Sequence, residues 1–366
     1  MSHHENHRVS RRGFLQKGTK ATAGLAVGVA AGRSVEARAE DQTAIKKTRS
    51  YNPEMEYRRL GKTNLWISAV ALGGHWKRID KILGGSPKMS DPNNEFTKKF
   101  HQNRHDVISR CIDVGINLLD TAGGAEPDAY AKALKGRRDK MYFAWMETNR
   151  NPDHRTAKQL VTALEKHLLK TGMEYADIWR VMCLERGGRH TRKDVAEMIS
   201  AFQTAKQRGL CRFTGLSTHD HKWMKMLIEK YPEDVQVLLF PYTAKSKKLP
   251  KNSFFTALKT CDVGVLGIKP FASNSLFMGD GDPKNSNVGE DNKRARMAIR
   301  YVLANPAITA PIPGLASVAH VDNMALAVKE RREMSALPET ELNQAADEMW
   351  ARLPDEYQWL KKWEYV

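Results

Sequence analysis

The groups able to do chemistry in this chain stand where apolar runs stop. The sharpest case is Gly115-Ile116-Asn117-Leu118-Leu119-Asp120-Thr121-Ala122, a strand-like run that ends in a carboxylate and two small residues. His75, Glu147, Glu185 and His219 end other apolar runs, and Asp220 and His221 follow directly. Imidazoles and carboxylates gathered at strand ends suit acid–base catalysis near neutral pH, or ligation of a divalent cation. None of them shares a tight local spacing such as H-x-x-x-H, so the expectation is acid–base chemistry by Asp120, His75, Glu147 and His219, with no metal ligands assigned. Asp120 has a second reading as a helix cap in a tight turn, and His219 and His221 have one as surface histidines.

These groups meet only if the fold brings strand ends to one face. Apolar strands alternate with amphipathic helices along the chain: residues 69–74, 117–120, 141–145, 177–184, 212–217, 235–240, 263–268 and 308–312 read as strands. Between them lie helical patterns such as 156–171, where Leu160, Val161, Leu164, Leu168 and Leu169 recur close to i, i+4, i+8. Eight strand–helix units are the count of a (β/α)8 TIM barrel, whose active site forms where the carboxyl ends of the strands meet their loops. An open doubly wound sheet is the alternative, but Ala71-Leu72-Gly73-Gly74-His75-Trp76 lacks the G-x-G-x-x-G turn that such sheets usually carry after the first strand.

The hairpin-like stretch 57–68 precedes the barrel, and the expected barrel domain spans residues 53–335. Residues 336–366 read as a C-terminal helical extension whose Trp/Tyr-rich end packs on the barrel. Long loops at 75–96 and 271–291 lie on the expected active face, where long loops are commonly functional.

The remaining totals narrow the class. The chain has 366 residues, is 41% apolar and carries a formal charge of +17. That charge is spread along the sequence without a long basic block, and no nucleic-acid-binding motif is present. Cys111, Cys183, Cys211 and Cys261 contain no C-x-x-C pair, which argues for buried free thiols and against an iron–sulfur cluster, with one or two disulfide bridges as the alternative in an oxidising compartment. The first 39 residues contain Arg11-Arg12, a short Ala/Gly/Val run and Ala37-Arg38-Ala39, the pattern of a twin-arginine export signal cut after Ala39. The expectations are recognition by the twin-arginine export machinery, a periplasmic or extracytoplasmic location and a polar linker over 40–52. No later segment has the roughly 20 apolar residues of a stable membrane span.

Seven segments in order resemble the aldo/keto reductase family. They are Tyr57-Arg58-Arg59-Leu60-Gly61-Lys62-Thr63, Ala71-Leu72-Gly73-Gly74, the Gly115–Ala122 strand, residues 133–140, Gly264-Val265-Leu266-Gly267-Ile268-Lys269-Pro270, residues 298–306 and Ile312-Pro313-Gly314. The resemblance implies a TIM barrel that reduces a small carbonyl substrate, or oxidises an alcohol, with NADP(H). It implies that Lys269 and the Gly314–Ser317 segment hold cofactor phosphates, with Ser317 and Asn323 at the adenosine end; Gly314 also reads as a plain turn into a helix. Family chemistry uses an Asp, a Tyr, a Lys and a His. Asp120 matches the first, whereas Ala125, Met146 and Met182 fall at the other three positions, and Ile268 replaces the aromatic residue that stacks on nicotinamide. The site is therefore expected to be altered, with other rim residues, or the phenols of Tyr130 and Tyr242, replacing the missing groups. A catalytically degenerate barrel that binds a ligand or a metal without nicotinamide is the alternative.

Overall fold

Strands β1 (Tyr57–Arg59) and β2 (Trp66–Ser68) pair antiparallel around a 3-10 turn at Gly61–Thr63. Their side chains Leu60, Leu65 and Ile67 are buried in one cluster with Ala71, Leu118, Ala144, Ile178, Val237 and Leu266, residues that project inward from the barrel strands. The hairpin is therefore the plug at the amino ends of those strands. It gives the barrel interior a packed base instead of a pore.

A computed structural model describes residues 33–85, 93, 95–123, 125–148, 155–183, 187–246, 253–333 and 336–363. The Arg11-Arg12 pair and the apolar run of the expected export signal lie outside the described residues, as does Glu185.

Seven parallel strands follow in sequence order: β3 (Leu118–Asp120), β4 (Tyr142–Thr148), β5 (Ala176–Met182), β6 (Cys211–Ser217), β7 (Val237–Pro241), β8 (Gly264–Ile268) and β9 (Ala310–Ile312). The segment 69–73 completes the ring through isolated bridges. Ala71 N donates to Pro311 O at 3.0 Å and Gly73 N to Pro313 O at 2.9 Å on one side, while Leu72 N donates to Leu118 O at 2.9 Å on the other. The expected eight-fold barrel is thus present.

Helices wrap the strands. They are α1 (Arg33–Lys46), α2 (Ile79–Leu83), α3 (Glu95–Val114), α4 (Glu126–Ala133), α5 (Ala157–Thr171), α6 (Arg192–Gln207), α7 (His221–Lys230), α8 (Phe254–Thr260), α9 (Val288–Ala304), α10 (Val318–Glu333), α11 (Glu339–Ala351) and α12 (Trp359–Trp363). Local chemistry sets several of their ends. Capping boxes formed by Thr156 with Gln159 and by Thr191 with Asp194 start α5 and α6. Helix α5 buries Leu160, Val161, Leu164 and Leu168. Leu169, expected in the same stripe, is instead 85% exposed, because it sits about 100° round the helix from Leu168.

The stretch 40–52, expected as a linker, is bound in its second half. Residues 40–46 continue α1, and Thr48 Oγ1 donates to Trp66 O at 2.5 Å. Arg49 reaches the fully buried Asp177 at 2.9 Å, where Arg138 and Arg212 also pair at 2.7 and 2.9 Å. Burial alone would raise the Asp177 pKa, but the three guanidiniums and the Phe143 N–H carry it below the usual carboxylate range. At the other end of the chain, α11 packs against α9, and the turn Asp355–Tyr357 leads α12 back over the barrel mouth. No helix among the described residues is long and apolar enough to cross a membrane.

Candidate active site

The inward side chains of a parallel strand alternate, so Leu118 and Asp120, Ala144 and Met146, and Ile178, Arg180 and Met182 share the barrel interior. Above the apolar base they enclose a cavity of about 400 Å³ at the carboxyl ends of the strands. Met146, Met182, Leu239, Ile268 and Ile312 give it an apolar wall, and Asp120, Arg180, Ser217 and Thr218 its polar floor.

Asp120 and Arg180 form a fork. Arg180 Nε donates to Asp120 Oδ1 at 2.9 Å and Nη2 donates to Asp120 Oδ2 at 2.7 Å, with a further bond from Nη2 to Thr121 O at 2.7 Å. Both residues are buried, 4% and 3% exposed. Burial pushes the Asp120 carboxyl above its ordinary pKa, and the Arg180 guanidinium opposes that shift. The two parallel bonds are those of an ionised carboxylate on a permanent cation. Helix capping by Asp120 is excluded, since both carboxylate oxygens are engaged by Arg180 in the barrel.

A second cluster lies at the rim. The Glu126 carboxylate accepts from His75 N at 2.5 Å and from Ala122 N at 2.7 Å, and its Oε1 is 3.4 Å from His75 Nδ1. Burial would raise Glu126, but these donors hold it below the usual carboxylate value. Gly74 is required for this approach, because a Cβ there would stand 1.7 Å from Glu126 Oε2. Left-handed backbone gathers around the cavity: His75 has φ 52°, Lys269 58°, Ala272 44°, Ser273 60° and Asn274 69°. Conformations that side chains disfavour persist where surrounding structure over-determines them, commonly at functional sites.

The structure places the expected residues unequally. Asp120, His75, His219, Lys269 and Gly314 all line the cavity. His219 is half-buried and stacks on Trp359 of the C-terminal extension, with ring centroids 4.0 Å apart. Glu147 is a correction. It neighbours the inward Met146 and therefore points to the opposite face, where its buried carboxylate lies 3.2 Å from His167 Nδ1 on α5. Asp220 caps α7 by accepting from Trp223 N at 3.0 Å, and His221 is buried against Phe240 and Phe254. Neither phenol suggested as a replacement lines the cavity: Tyr130 donates to Gly73 O at 2.7 Å, and Tyr242 OH accepts from Asn305 Nδ2 at 2.8 Å.

Among the cavity residues missed in the sequence are Arg180, Lys77, Ser217, Thr218 and Tyr357. Arg180 had a signal: with Asp177 it is one of two charges in a strand otherwise apolar, and a charge requires a partner if buried. Tyr357 had none, since only the tertiary path of the extension brings it over the mouth.

A second cavity of about 210 Å³ adjoins the first, and both are lined by Lys77, Phe271, Asn274 and Gly314. It runs along the loop 271–291 to Ser317, His320 and Asn323 at the start of α10. The Asn323 amide is already engaged there, accepting from Arg296 Nη1 at 2.9 Å and donating to Asn292 O at 3.0 Å. A Cβ at Gly314 would stand 2.8 Å from Gly74 O, so glycine lets the two strand ends meet between the cavities. Cys111, Cys183 and Cys211 are buried free thiols and Cys261 is a half-buried one. No three His, Cys, Asp or Glu side chains among the described residues converge on a point that a metal ion could occupy.

Fold and site together define a parallel-barrel protein with a small-molecule cleft at the strand ends. The chain belongs to the aldo/keto reductase family, whose family model matches residues 82–337. It is 24% identical over 314 residues to L-galactose dehydrogenase of Arabidopsis thaliana, covering 78% of this chain and 92% of that one. It is 22% identical over 272 residues to L-glyceraldehyde 3-phosphate reductase of Escherichia coli, covering 67% and 71%. Among solved structures it resembles an aldo-keto reductase from Klebsiella pneumoniae in complex with NADPH, at a TM-score of 0.58 and 18% identity, over 82% of this chain and 96% of the other.

Proposed function

We propose that the protein is an NADP(H)-linked oxidoreductase with an altered active site, acting on a small carbonyl compound or the corresponding alcohol. The observation that carries this reading is the pair of adjoining cavities, which make one elongated groove from the barrel mouth to the first turn of α10. That shape suits a dinucleotide with one end over the reacting centre and the other at a helix start, where backbone N–H groups lack intrahelical acceptors. Family membership and the Klebsiella pneumoniae structure bound to NADPH support the same cofactor.

When bound, the nicotinamide supplies or accepts the hydride. The chain's own residues do the rest. Lys269 serves as a point charge for phosphate oxygens, and Gly314 and Ser317 shape the turn beside them. Met146, Met182, Leu239 and Ile268 keep the reacting end dry, and the Asp120–Arg180 fork fixes a cation at the cavity floor. With Ala125, Met146 and Met182 at the usual proton-handling positions, His75 is the proton donor to the substrate oxygen, and Glu126 orients its ring from 3.4 Å. His219, locked under Trp359, forms part of the substrate wall.

Export by the twin-arginine route, with cleavage after Ala39 and a periplasmic site of action, belongs to the same proposal. It rests on Arg11-Arg12 and Ala37-Arg38-Ala39. Because that route carries folded proteins, it is consistent with a cofactor acquired before export.

The reading is tested by following NADPH absorbance while the purified protein meets a panel of small aldehydes, ketones and oxo acids. Turnover of one class, abolished by filling the groove with the Gly314→Leu substitution, is the expected result. Absence of turnover with every class, in both directions of the reaction, would leave the catalytically degenerate alternative in its place.

A further inference from the structure

Arg180 has more donors than its partners use. Its Nε and Nη2 groups are committed to Asp120 and Thr121, but no described residue accepts from Nη1. The residue is 3% exposed and lines the cavity of about 400 Å³. Nη1 thus opens on the cavity from a guanidinium that the Asp120 fork holds rigid.

The surroundings decide what it receives. Asp120 is the only carboxylate among the described residues lining this cavity, and it is paired with Arg180; the Glu126 carboxylate at the rim is turned to the backbone N–H groups of His75 and Ala122. Lys77 and Lys269 also line it, so among its described lining residues cations outnumber carboxylates. Met146, Met182, Leu239 and Ile268 form the apolar wall above the cavity floor, which Ser217 and Thr218 share with the guanidinium. A cavity with an apolar wall, hydroxyls on its floor and a buried, preoriented guanidinium favours an oxyanion attached to a short apolar body.

We propose that Arg180 Nη1 anchors a substrate carboxylate, which makes the substrates small carboxylic acids that also carry the reacting carbonyl or alcohol. This deepens the oxidoreductase reading and rests on it for the reaction, though not for the anion site itself. Lys77, exposed at the cavity, draws the acid in, and the planar Arg180 group fixes its orientation. The chemistry Arg180 selects, an oxyanion, is shared with the phosphates of a dinucleotide, and the test separates the two.

The test titrates the purified protein with butyrate, which has no reducible carbonyl, and separately with inorganic pyrophosphate and NADPH, by calorimetry at physiological salt. The main variant is Asp120→Asn with Arg180→Gln, which replaces the ion pair by a neutral amide pair. Arg180→Lys is the second, keeping a cation beside Asp120 while losing the planar fork. Thermal melting establishes that each variant tested is folded. The expected result is saturable butyrate binding by the wild type, weakened about tenfold or more in either variant, as losing a charge-assisted bond implies. NADPH binding should change less than twofold. Equal butyrate binding by wild type and variants would overturn the proposal, as would a wild type that binds NADPH but no butyrate. Weakening of pyrophosphate and NADPH in place of butyrate would also overturn it, assigning Arg180 to the cofactor. Arg180-dependent butyrate binding by a protein that takes up no nicotinamide cofactor would sustain the anion site and remove the oxidoreductase reading.

Discussion

Arg180→Met should be the most damaging single change in the barrel interior. It removes the two bonds of 2.9 and 2.7 Å to Asp120 and leaves a 4%-exposed carboxylate with no counter-charge. Breaking a buried ion pair from one side costs about 3–5 kcal/mol, because the remaining charge has neither water nor a partner. Asp120→Asn leaves the guanidinium three hydrogen-bonding faces, including Thr121 O and the open cavity, so it should cost less, about 1–3 kcal/mol. In the double variant no charge is stranded, and part of the loss should return. The assay is equilibrium urea unfolding of the four proteins, followed by fluorescence of the buried Trp145 and Trp179. The double-mutant cycle should give a coupling of about 1.5–3 kcal/mol, within the range for residues that share a buried network. Additive losses, or an Arg180→Met cost below about 1 kcal/mol, would mean that the pair is not the ionised fork described.

Three further outcomes follow. His75→Gln should lower kcat by about 10²–10⁴ for any substrate found, with NADPH affinity unchanged, if His75 moves the proton; steady-state kinetics with a separate cofactor titration checks this. Burial lowers the pKa of His221 from 6.5 to about 4. The unfolded chain therefore binds the extra proton first, and stability should fall by about 3 kcal/mol as pH drops from about 6.5 to 4; unfolding curves of wild type and His221→Phe across that window should differ in this slope. Asp177 titrates below the usual carboxylate range, so the stability it contributes is full above about pH 4 and lost as pH falls through its lowered value. Asp177→Asn should be less stable at pH 7 and lack that acid limb, which thermal melts between pH 2 and 7 would reveal.

The barrel was legible because its strands and most of the helices between them carried their own local signals, whereas Ile79–Leu83 lay inside an expected loop and Arg33–Lys46 inside the expected export signal and linker. The run Leu118-Leu119-Asp120 shows a buried strand and its rim group in a few residues, and Thr156 with Gln159 marks a helix start. The site was legible only in part. Strand ends were weighted, yet in β5 the decisive charge lies two residues before the end, at Arg180, on the same inward face as Ile178 and Met182. Two-residue alternation would also have placed Glu147 outward once Met146 was set inward. Contacts made across long sequence distances left no trace in local pattern. Trp359 on His219 and Tyr357 at the cavity mouth depend on how the last helices cross the barrel, and Arg49 on Asp177 depends on the chain before the hairpin. A Trp-rich tail suggests packing, but composition does not say against which face.

The proposed oxidoreductase requires that the joined cavities hold a nicotinamide dinucleotide. The most direct measurement is a titration of the purified protein with NADPH and, separately, NADH, followed by tryptophan fluorescence and by energy transfer to the reduced nicotinamide. Saturable binding of NADPH, weakened when Lys269 is replaced by Ala or Gly314 by Leu, is the predicted result. No saturable binding of either dinucleotide to folded protein would contradict it.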